Sequence, residues 1–491
     1  MFGEDGDDNF FIGGNEAAGD LIDGGADSDD IILTSDTFLD FTTTFTSIER
    51  VIFANFDIIA NTGTGFDLSG MTRANAGELL GQGGDEVISG TEGADTIRGF
   101  AGMDTLNGNA GNDTIFGGDG DDIINGGDGN DLIHGEAGAD ILNGGAGSDD
   151  FFYGGNEAAG DTVDGGADND DLRLTSDLFL DFTTSFTNIE RIIFGGFSIT
   201  ANTGTGFDLS GMTRSGISTL NGQGGAENIT GTDSDDNIFA MAGDDIINGG
   251  GGADNIYGGE GADILNGGDG NDEFFVSGTE SLGDVIDGGT GTDVIRLEAD
   301  SEFNSANSFA NITTFDTNGF NILLVSGTTI DFSGMNRIDG GDIIATAGNE
   351  VITGFDNADE IFGLAGDDII NGGGGNDLIF GGEGADILNG DDGNDDFRYG
   401  GTEALGDTID GGAGSDDLFL TADLFLDFTT SFTSIERVVF DGFNVTANTG
   451  TGFDFSGMTR NGLGELLGQN GDEVISGTCL LYTSPSPRDR G

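Results

Sequence analysis

The sequence is poor in the residue types that carry nucleophilic and metal-dependent catalysis. It contains no lysine and no tryptophan, and its 491 residues include one histidine, one cysteine and two prolines. A single histidine, His134, cannot form a catalytic triad or a histidine metal cluster, and the His-Glu-x-x-His, Gly-x-Ser-x-Gly and P-loop motifs are missing. The sequence therefore offers no candidate catalytic residues and predicts a non-enzymatic chain.

Long apolar runs are missing as well. No stretch of 18 apolar residues occurs, so we expect no membrane-spanning helix. The N-terminus has neither a basic start nor an apolar signal stretch. Residues 3–11 instead align with residues 267–275, so the chain opens inside a repeat, and we expect further sequence upstream of Met1.

Basic residues are scarce and acidic residues abundant. All thirteen basic residues are arginines, against 91 acidic residues, which gives a formal net charge of −78. This charge argues against binding to nucleic acid or to an anionic membrane, and favours cation binding or adaptation to salt. Adaptation to salt alone would scatter acidic residues over the surface, whereas long stretches of this chain have an acidic residue at every ninth position.

Residues 81–152 divide into eight consecutive nonapeptides. The unit that starts at Gly117 reads Gly-Gly-Asp-Gly-Asp-Asp-Ile-Ile-Asn, which is the pattern Gly-Gly-x-Gly-x-Asp-x-U-x with U apolar. Aspartate holds the sixth place in seven successive units, from Asp95 to Asp149. A disordered Gly/Asp-rich linker would not keep an apolar residue at a fixed phase.

The pattern predicts that each unit is a tight turn followed by a short strand. Glycine at places one, two and four permits a turn whose carbonyls point inward. The middle strand residue then faces a core, and two nonapeptides close one coil. The predicted core residues of this block are Ile97, Leu106, Ile115, Ile124, Ile133, Leu142 and Phe151.

The turns also bring carboxylates close together, and these repel one another. Each unit buries only one apolar side chain, which alone cannot offset the entropy cost of ordering nine residues. A hard cation held by carboxylate and carbonyl oxygens would remove the repulsion and order the loops. Calcium suits such a site better than magnesium, which prefers a small octahedral site and releases water reluctantly. An EF-hand is excluded because its loop has twelve residues between helices.

These nonapeptides resemble the repeats of the RTX, or haemolysin-type calcium-binding, family. The resemblance covers three complete blocks and fragments at both ends. It implies an all-β fold, a right-handed parallel β-roll or β-helix solenoid with calcium between stacked turns. It also implies secretion through a type I exporter of a Gram-negative bacterium and folding at the cell surface or in the extracellular space.

The aspartates at the sixth place are the expected calcium ligands. Each block begins instead with glutamate there (Glu86, Glu227, Glu350 and Glu473), whose longer reach departs from the family pattern, and we do not expect these to bind equally well. The predicted ligands are Asp95, Asp104, Asp113, Asp122, Asp131, Asp140, Asp149, Asp236, Asp245, Asp254, Asp263, Asp272, Asp359, Asp368, Asp377, Asp386 and Asp395.

The nonapeptide blocks alternate with β-rich spacers of equal length that repeat one another. The blocks contain eight, six and six units, so they differ by one coil. The predicted divisions are a partial repeat at 1–12, spacers at 13–80, 154–221, 277–344 and 400–467, blocks at 81–153, 222–276 and 345–399, and the start of a fourth block at 468–478. We expect the spacers to be longer, irregular solenoid coils; the alternative is a small separate β-sandwich inserted between rolls.

The last residues break the pattern. Periodicity stops after Thr478, and residues 479–491 hold the only cysteine and both prolines. This segment looks like a translated sequencing-library adaptor, so Cys479 is not interpreted as a reactive thiol.

Two functions of different classes fit these observations. The first is the calcium-binding repeat region of a large exported protein, an adhesin or a surface-structural component. The second is the carrier region of a secreted protease, lipase or alginate epimerase whose catalytic domain lies outside this sequence. A cytolysin is a weaker third possibility, because an apolar pore-forming domain should precede its repeats.

Overall fold

The computed structural model describes residues 1–469, 472–477 and 479–480. These residues form strands and turns without any helix, and the strands that pair do so in parallel. No helix in this part of the chain is therefore long and apolar enough to cross a membrane. The predicted all-β parallel solenoid is confirmed.

The chain forms two compact units. Unit 1 comprises Met1–Met241 with Asn248–Gly252, and unit 2 comprises Ala242–Ile247 with the described residues from Ala253 onward. Each unit contains both nonapeptide coils and spacer coils, so each is a parallel β-solenoid in its own right.

Two nonapeptides make one coil, as predicted. Ile124 pairs with Leu106 on one side and with Leu142 on the other, and each partner lies two nonapeptides away along the chain. The units in between pair among themselves in the same way, as Ile115 does with Ile133. Alternate units therefore build two parallel sheets, and the apolar residue at the eighth place of each unit lies between them.

The predicted core is buried. The exposed fractions of the seven core residues of the first block are all 1% or less. Burial of each such side chain contributes roughly 1.5–3 kcal/mol. The residues on either side point outward, and Ile123, at the seventh place, is 42% exposed.

The turns require glycine at particular places. Gly118 and Gly120 have φ values of 120° and 131°, which L-residues with a side chain rarely adopt. A Cβ on Gly118 would also overlap the carbonyl of Phe100 in the preceding coil. The repeat spacing of glycine thus follows from close stacking of one turn on the next.

The solenoid continues through the spacers with longer coils. In the second spacer Asp150 pairs with Asp171, Asp171 with Arg191, and Arg191 with Thr213, and each of these steps is longer than two nonapeptides. The strand Asp171–Leu180 pairs at its start with Arg191–Ile193 and at its end with Ile199–Ala201. This continuous parallel ladder excludes the separate β-sandwich.

The spacer methionines pack in the core. Met71, Met212, Met335 and Met458 are 3–5% exposed and fill apolar space in the core. At the C-terminal end, the backbone of Cys479–Leu480 pairs with Thr459 and Arg460, and residues 481–491 of the expected adaptor segment lie outside the described residues.

The strands of the nonapeptide segments are short. The first partial repeat contributes Asn9–Gly14. The first block contributes Val87–Ser89, Thr96–Ala101, Thr105–Ala110, Thr114–Asp119, Ile123–Asp128, Leu132–Ala137, Ile141–Ala146 and Asp150–Gly155. The second contributes Asn228–Thr230, Asn237–Phe239, Ile246–Gly251, Asn255–Tyr257, Ile264–Asp269 and Glu273–Val276. The third contributes Val351–Thr353, Glu360–Phe362, Ile369–Asn371, Leu378–Phe380, Ile387–Asn389 and Asp396–Gly401, and Val474–Ser476 and Cys479–Leu480 follow the last spacer.

The spacers include the longest strands. The first contains Leu21–Asp23, Asp30–Leu39, Thr44–Thr46, Arg50–Ile52, Ile58–Ala60, Gly65–Asp67, Thr72–Ala74 and Leu79–Leu80. The second contains Thr162–Ala167, Asp171–Leu180, Ser185–Thr187, Arg191–Ile193, Ile199–Ala201, Gly206–Asp208, Thr213–Ser215 and Leu220–Asn221. The third contains Val285–Thr290, Val294–Leu297, Ser301–Phe303, Ser308–Ala310, Thr314–Asp316, Ile322–Leu324, Thr329–Asp331, Asn336–Ile338 and Ile343–Ile344. The fourth contains Thr408–Asp410, Asp417–Leu426, Ser431–Thr433, Arg437–Val439, Val445–Ala447, Gly452–Asp454, Thr459–Asn461 and Leu466–Leu467.

Candidate metal centre

The predicted ligands all lie inside the turns. The seventeen sixth-place aspartates have exposed fractions of 4% or less. This burial is unusual for aspartate, which is rarely found inside proteins without a partner. The question is which atoms satisfy each carboxylate.

In the aspartates that follow the first one of a ladder, Oδ1 accepts a hydrogen bond from the backbone of the preceding coil. The backbone N–H of Asp104 donates to Oδ1 of Asp122 at 2.7 Å, and the N–H of Asp122 donates to Oδ1 of Asp140 at 2.8 Å. A second ladder repeats the contact from Asp113 to Asp131 at 2.7 Å. The aspartates of one block thus form two ladders, one for each set of alternate turns.

In eleven of the block aspartates, named at the end of this paragraph, Oδ2 has no hydrogen-bond partner within the described structure. For Asp122, a Cβ on Gly117 would overlap both this Oδ2 and the carbonyl oxygen of Gly135 in the next coil, so the two oxygens converge on one point. The aspartates with such a buried, unpartnered Oδ2 in the blocks include Asp104, Asp113, Asp122, Asp131, Asp140, Asp149, Asp263, Asp368, Asp377, Asp386 and Asp395.

This environment disfavours the charged form of the carboxylates. Burial raises the pKa of Asp122 to about 7, and the negative charge of Asp104 adds to the effect. Burial likewise raises the pKa of Asp377 to about 8, with Asp359 and Asp395 contributing. A cation beside these oxygens would favour ionisation again and replace the missing partner.

Side chains alone do not complete a metal site. Within the described residues, no group of three or more histidine, cysteine, aspartate or glutamate side chains could hold an ion. Backbone carbonyls such as that of Gly135, which lies beside Asp122 Oδ2, would have to supply further oxygens. A donor set of carboxylate and carbonyl oxygens on flexible turns fits calcium.

The first aspartate of each block has a different environment. Oδ1 of Asp95 forms an ion pair with Arg73, and Oδ2 accepts the N–H and the hydroxyl of Thr91 at 2.7 and 2.9 Å. Asp236 is bound in the same way by Arg214 and Thr232. These carboxylates are therefore satisfied by protein groups.

The glutamates that begin the blocks contact the spacer backbone. Oε1 of Glu86 accepts the N–H of the spacer residue Gly63 at 2.6 Å, and Oε2 accepts that of Gln82 in its own turn at 3.1 Å. Oε1 of Glu350 accepts the N–H of Gly327 at 2.6 Å. The longer side chain spans the greater distance to the spacer coil.

Sequence reasoning missed aspartates that extend the ladders into the spacers. The N–H of Asp149 donates to Oδ1 of Asp170, and that of Asp140 to Oδ1 of Asp161, both at 2.8 Å. The second oxygen of Asp161 accepts the hydroxyl of the buried Tyr153 at 2.7 Å, whereas Oδ2 of Asp170 has no hydrogen-bond partner among the described residues. The Gly-Gly-Ala turn that starts at Gly165, with aspartate in sixth place, was the available signal.

His134 takes no part in the ladders. Its ring is stacked between Phe116 and Phe152, with centroids 4.5 Å from each, on the outer face of one sheet. Burial lowers the pKa of His134, and the positive charge of Arg98 lowers it further. The only histidine is thus part of a surface ring stack.

The comparison with known families agrees with this geometry. The family model of the RTX calcium-binding nonapeptide repeat (4 copies) matches residues 80–115, 98–133, 116–151, 126–158, 221–256, 242–274, 281–301, 338–370, 362–397 and 406–423. No curated protein matches the chain.

Proposed function

Since the chain belongs to the RTX family through these repeats and binds calcium through them, we propose that it is the calcium-loaded structural region of a large exported bacterial protein, of adhesin or surface-structural type. RTX repeat proteins are typically secreted. We place this one at the surface of a Gram-negative bacterium, after passage through a type I exporter. It folds there because calcium is available outside the cell.

The observation that carries this proposal is the ladder of buried carboxylate oxygens without partners. An unpaired buried charge is costly, so the calcium-free turns are destabilised. We propose that Oδ2 of each such aspartate, together with a turn carbonyl of the next coil, holds one calcium ion. Bound calcium would then neutralise the charge and fasten each coil to the next.

Calcium-dependent folding tests the proposal. We expect the circular dichroism of the full chain to show little β-structure in chelator and to gain it as calcium rises through roughly 0.1–1 mM, the range of extracellular modules. Magnesium at equal concentration is the control and should be much less effective. A strong β signal in chelator that does not change on addition of calcium would refute the proposal.

The repeated spacer–block organisation favours a structural role over that of an enzyme carrier, because it extends the solenoid by whole modules. The carrier role predicts a zinc-protease or hydrolase motif in the neighbouring coding sequence. Sequencing the complete gene distinguishes the two.

A further inference from the structure

The four spacers share a buried aspartate that lies outside the complete nonapeptide blocks. Each is fully buried, and each has an Oδ2 without a hydrogen-bond partner in the part of the chain that the structure describes. Its Oδ1 accepts a backbone N–H from the preceding coil, as Asp170 does from Asp149 at 2.8 Å and Asp29 does from Asp8 at 2.8 Å. The four residues are Asp29, Asp170, Asp293 and Asp416.

A carbonyl oxygen of the following coil lies beside each of these carboxylates. A Cβ on Gly165 would overlap both Asp170 Oδ2 and the carbonyl oxygen of Asn188. The corresponding carbonyls in the other spacers belong to Ser47, Asn311 and Ser434. The arrangement reproduces the pairing of Asp122 Oδ2 with the Gly135 carbonyl, although the spacer coil is longer and the carbonyl does not belong to glycine.

The residues that supply these carbonyls share an uncommon backbone conformation. Ser47, Asn188, Asn311 and Ser434 have φ values of 52°, 52°, 54° and 51°. Non-glycine residues seldom adopt this left-handed conformation. Its presence at the same place in all four spacers makes this backbone conformation a shared feature of the spacers.

We propose that each spacer holds a further calcium site, formed by this aspartate and the carbonyl of the left-handed residue. The inference rests on the proposed calcium-loaded ladder and extends it by one coil. The family matches leave Asp29 and Asp170 out, and those that include Asp293 and Asp416 end before Asn311 and Ser434.

The ladder ends after this site in three of the spacers. The N–H of Asp170 donates to Oε2 of Glu190 at 2.9 Å, and the N–H of Asp416 donates to Oε2 of Glu436 at 2.8 Å. Oε2 of Glu49 likewise accepts the N–H of Asp29. A glutamate thus replaces the next aspartate, as it does at the first position of each block.

Bound-calcium counts test the spacer sites in the full chain. The variant D29N/D170N/D293N/D416N should bind four fewer calcium ions per chain than the parent, measured by equilibrium dialysis with metal analysis. The control D36N/D177N/D300N/D423N removes the same charge from exposed positions of the same spacers and should lose none. Equal counts in the parent and the spacer variant would overturn the inference.

Locating the ions provides a second test that does not depend on a variant that folds. A crystal structure of the calcium-loaded full chain, with anomalous data collected at long wavelength, should show an ion beside Asp170 Oδ2 and the Asn188 carbonyl. Ions beside Asp122 but not beside Asp170 would overturn the spacer site and leave the proposed function intact. Their absence from both places would overturn both.

A different observation concerns the opposite end of the ladders, where an arginine from the preceding spacer meets the first aspartate. Arg214 Nη1 lies 2.6 Å from Asp236 Oδ1, and Arg337 Nε lies 3.4 Å from Asp359 Oδ1. Arg73 pairs with Asp95 in the same way. The three arginine side chains are 12% exposed or less.

Each arginine is fixed in place by the spacer. Arg73 donates to the carbonyl of Gly77 at 2.8 Å, and Arg214 donates to that of Ser218 at 2.9 Å. The guanidinium of Arg73 also lies over the ring of Phe53, 4.5 Å from its centroid. The positive charge is therefore a permanent part of the coil.

We infer that Arg73 and Arg214 act as resident cations and that Asp95 and Asp236 bind no calcium. Both oxygens of Asp95 and Asp236 are already satisfied, and a second cation beside a buried guanidinium would be repelled. The first and second spacers thus each start one ladder with a positive charge of their own, and the ladder continues with calcium.

Two variants with the same change in charge distinguish the first aspartate of a ladder from the second. D95N/D236N should bind as many calcium ions as the parent, whereas D113N/D254N, one coil further on, should lose two. The same anomalous map should show an ion beside Asp113 and none beside Asp95. Equal losses in the two variants, or an ion beside Asp95, would overturn the inference.

Discussion

At the scale of single residues, adjacent aspartates in one turn have different surroundings. Asp122 is buried with an unpartnered Oδ2, whereas Asp121 is exposed and accepts the N–H of Ala139 at 3.0 Å. Acidic residues are common throughout the chain, so we propose that their position in the turn decides which of them bind an ion.

We therefore expect D122N to bind calcium less fully than D121N. Asparagine keeps the oxygen that accepts the N–H of Asp104 but lacks the second charged oxygen. In saturating calcium, the melting temperature of D122N should fall by about 2–4 °C for each kcal/mol lost. Calorimetric titration of both variants and the parent provides the measurement. Equal effects of the two substitutions would refute the assignment of the sixth place.

His134 provides a single-residue probe of folding because it is the only histidine. In the folded coil its pKa is lowered by burial between two aromatic rings and by the charge of Arg98. NMR titration of its ring protons should give a pKa below 6.5 with calcium, and a value close to 6.5 in chelator. The same value in both conditions would show that the ring stack does not depend on calcium.

At the scale of the coil, the two sheets of a block have different outer faces. One has the stack of Phe116, His134 and Phe152. The other has asparagines at the same place of the repeat, where Asn125 donates to Asn107 at 2.9 Å. Each face is continuous only if units are added in pairs.

Deletions in the first block test the coil as a unit. Removing residues 117–125, one nonapeptide, should place every later unit in the wrong sheet, break the ring stack and misjoin the spacer after Phe152. Removing residues 117–134, two nonapeptides, should be tolerated, because it leaves six units, as in the other blocks. In calcium, only the single-unit deletion should lower the melting temperature by more than its share of lost ions.

If both deletions instead lower the melting temperature in proportion to their length, the nonapeptides act as independent loops. The parallel pairing of each unit with the second unit after it would then contribute nothing to stability.

At the scale of the whole molecule, the buried carboxylates link folding to protons as well as to calcium. The folded-state pKa values of many ladder aspartates are raised from 3.8 to about 6, 7 or 8, chiefly by burial. A carboxyl group with a raised pKa binds more protons in the folded state than in the unfolded state. Its contribution to stability is present below pH 4 and is lost as the pH rises to about 8.

The calcium-free chain should therefore show more β-structure in mildly acidic solution than at pH 8. Circular dichroism in chelator at pH 5.5 and pH 8 measures the difference, and pH 5.5 stays above the isoelectric point of about 4.1. Calcium at pH 8 should restore the signal, because it binds the ionised form. Identical spectra at both pH values without calcium would contradict this linkage.

The sequence by itself determined the repeat, the coil and the core. A period of nine with glycine, aspartate and an apolar residue at fixed places permits one alternation of turn and strand, so Ile124 and its equivalents were predicted as buried. The same pattern predicted an oxygen site in the turns, because aspartate occupies the one side-chain position that faces inward there.

Only the tertiary structure decided where each ladder begins and ends. Arg73 belongs to a spacer and Asp95 to a block, and Asp170 meets the carbonyl of Asn188 across an irregular coil, so both contacts depend on how a spacer coil stacks on its neighbours. Local spacing predicts a turn, but it does not show which groups of the next coil lie above it. Stacking of the coils leaves Asp122 with a free oxygen and satisfies Asp95 with arginine.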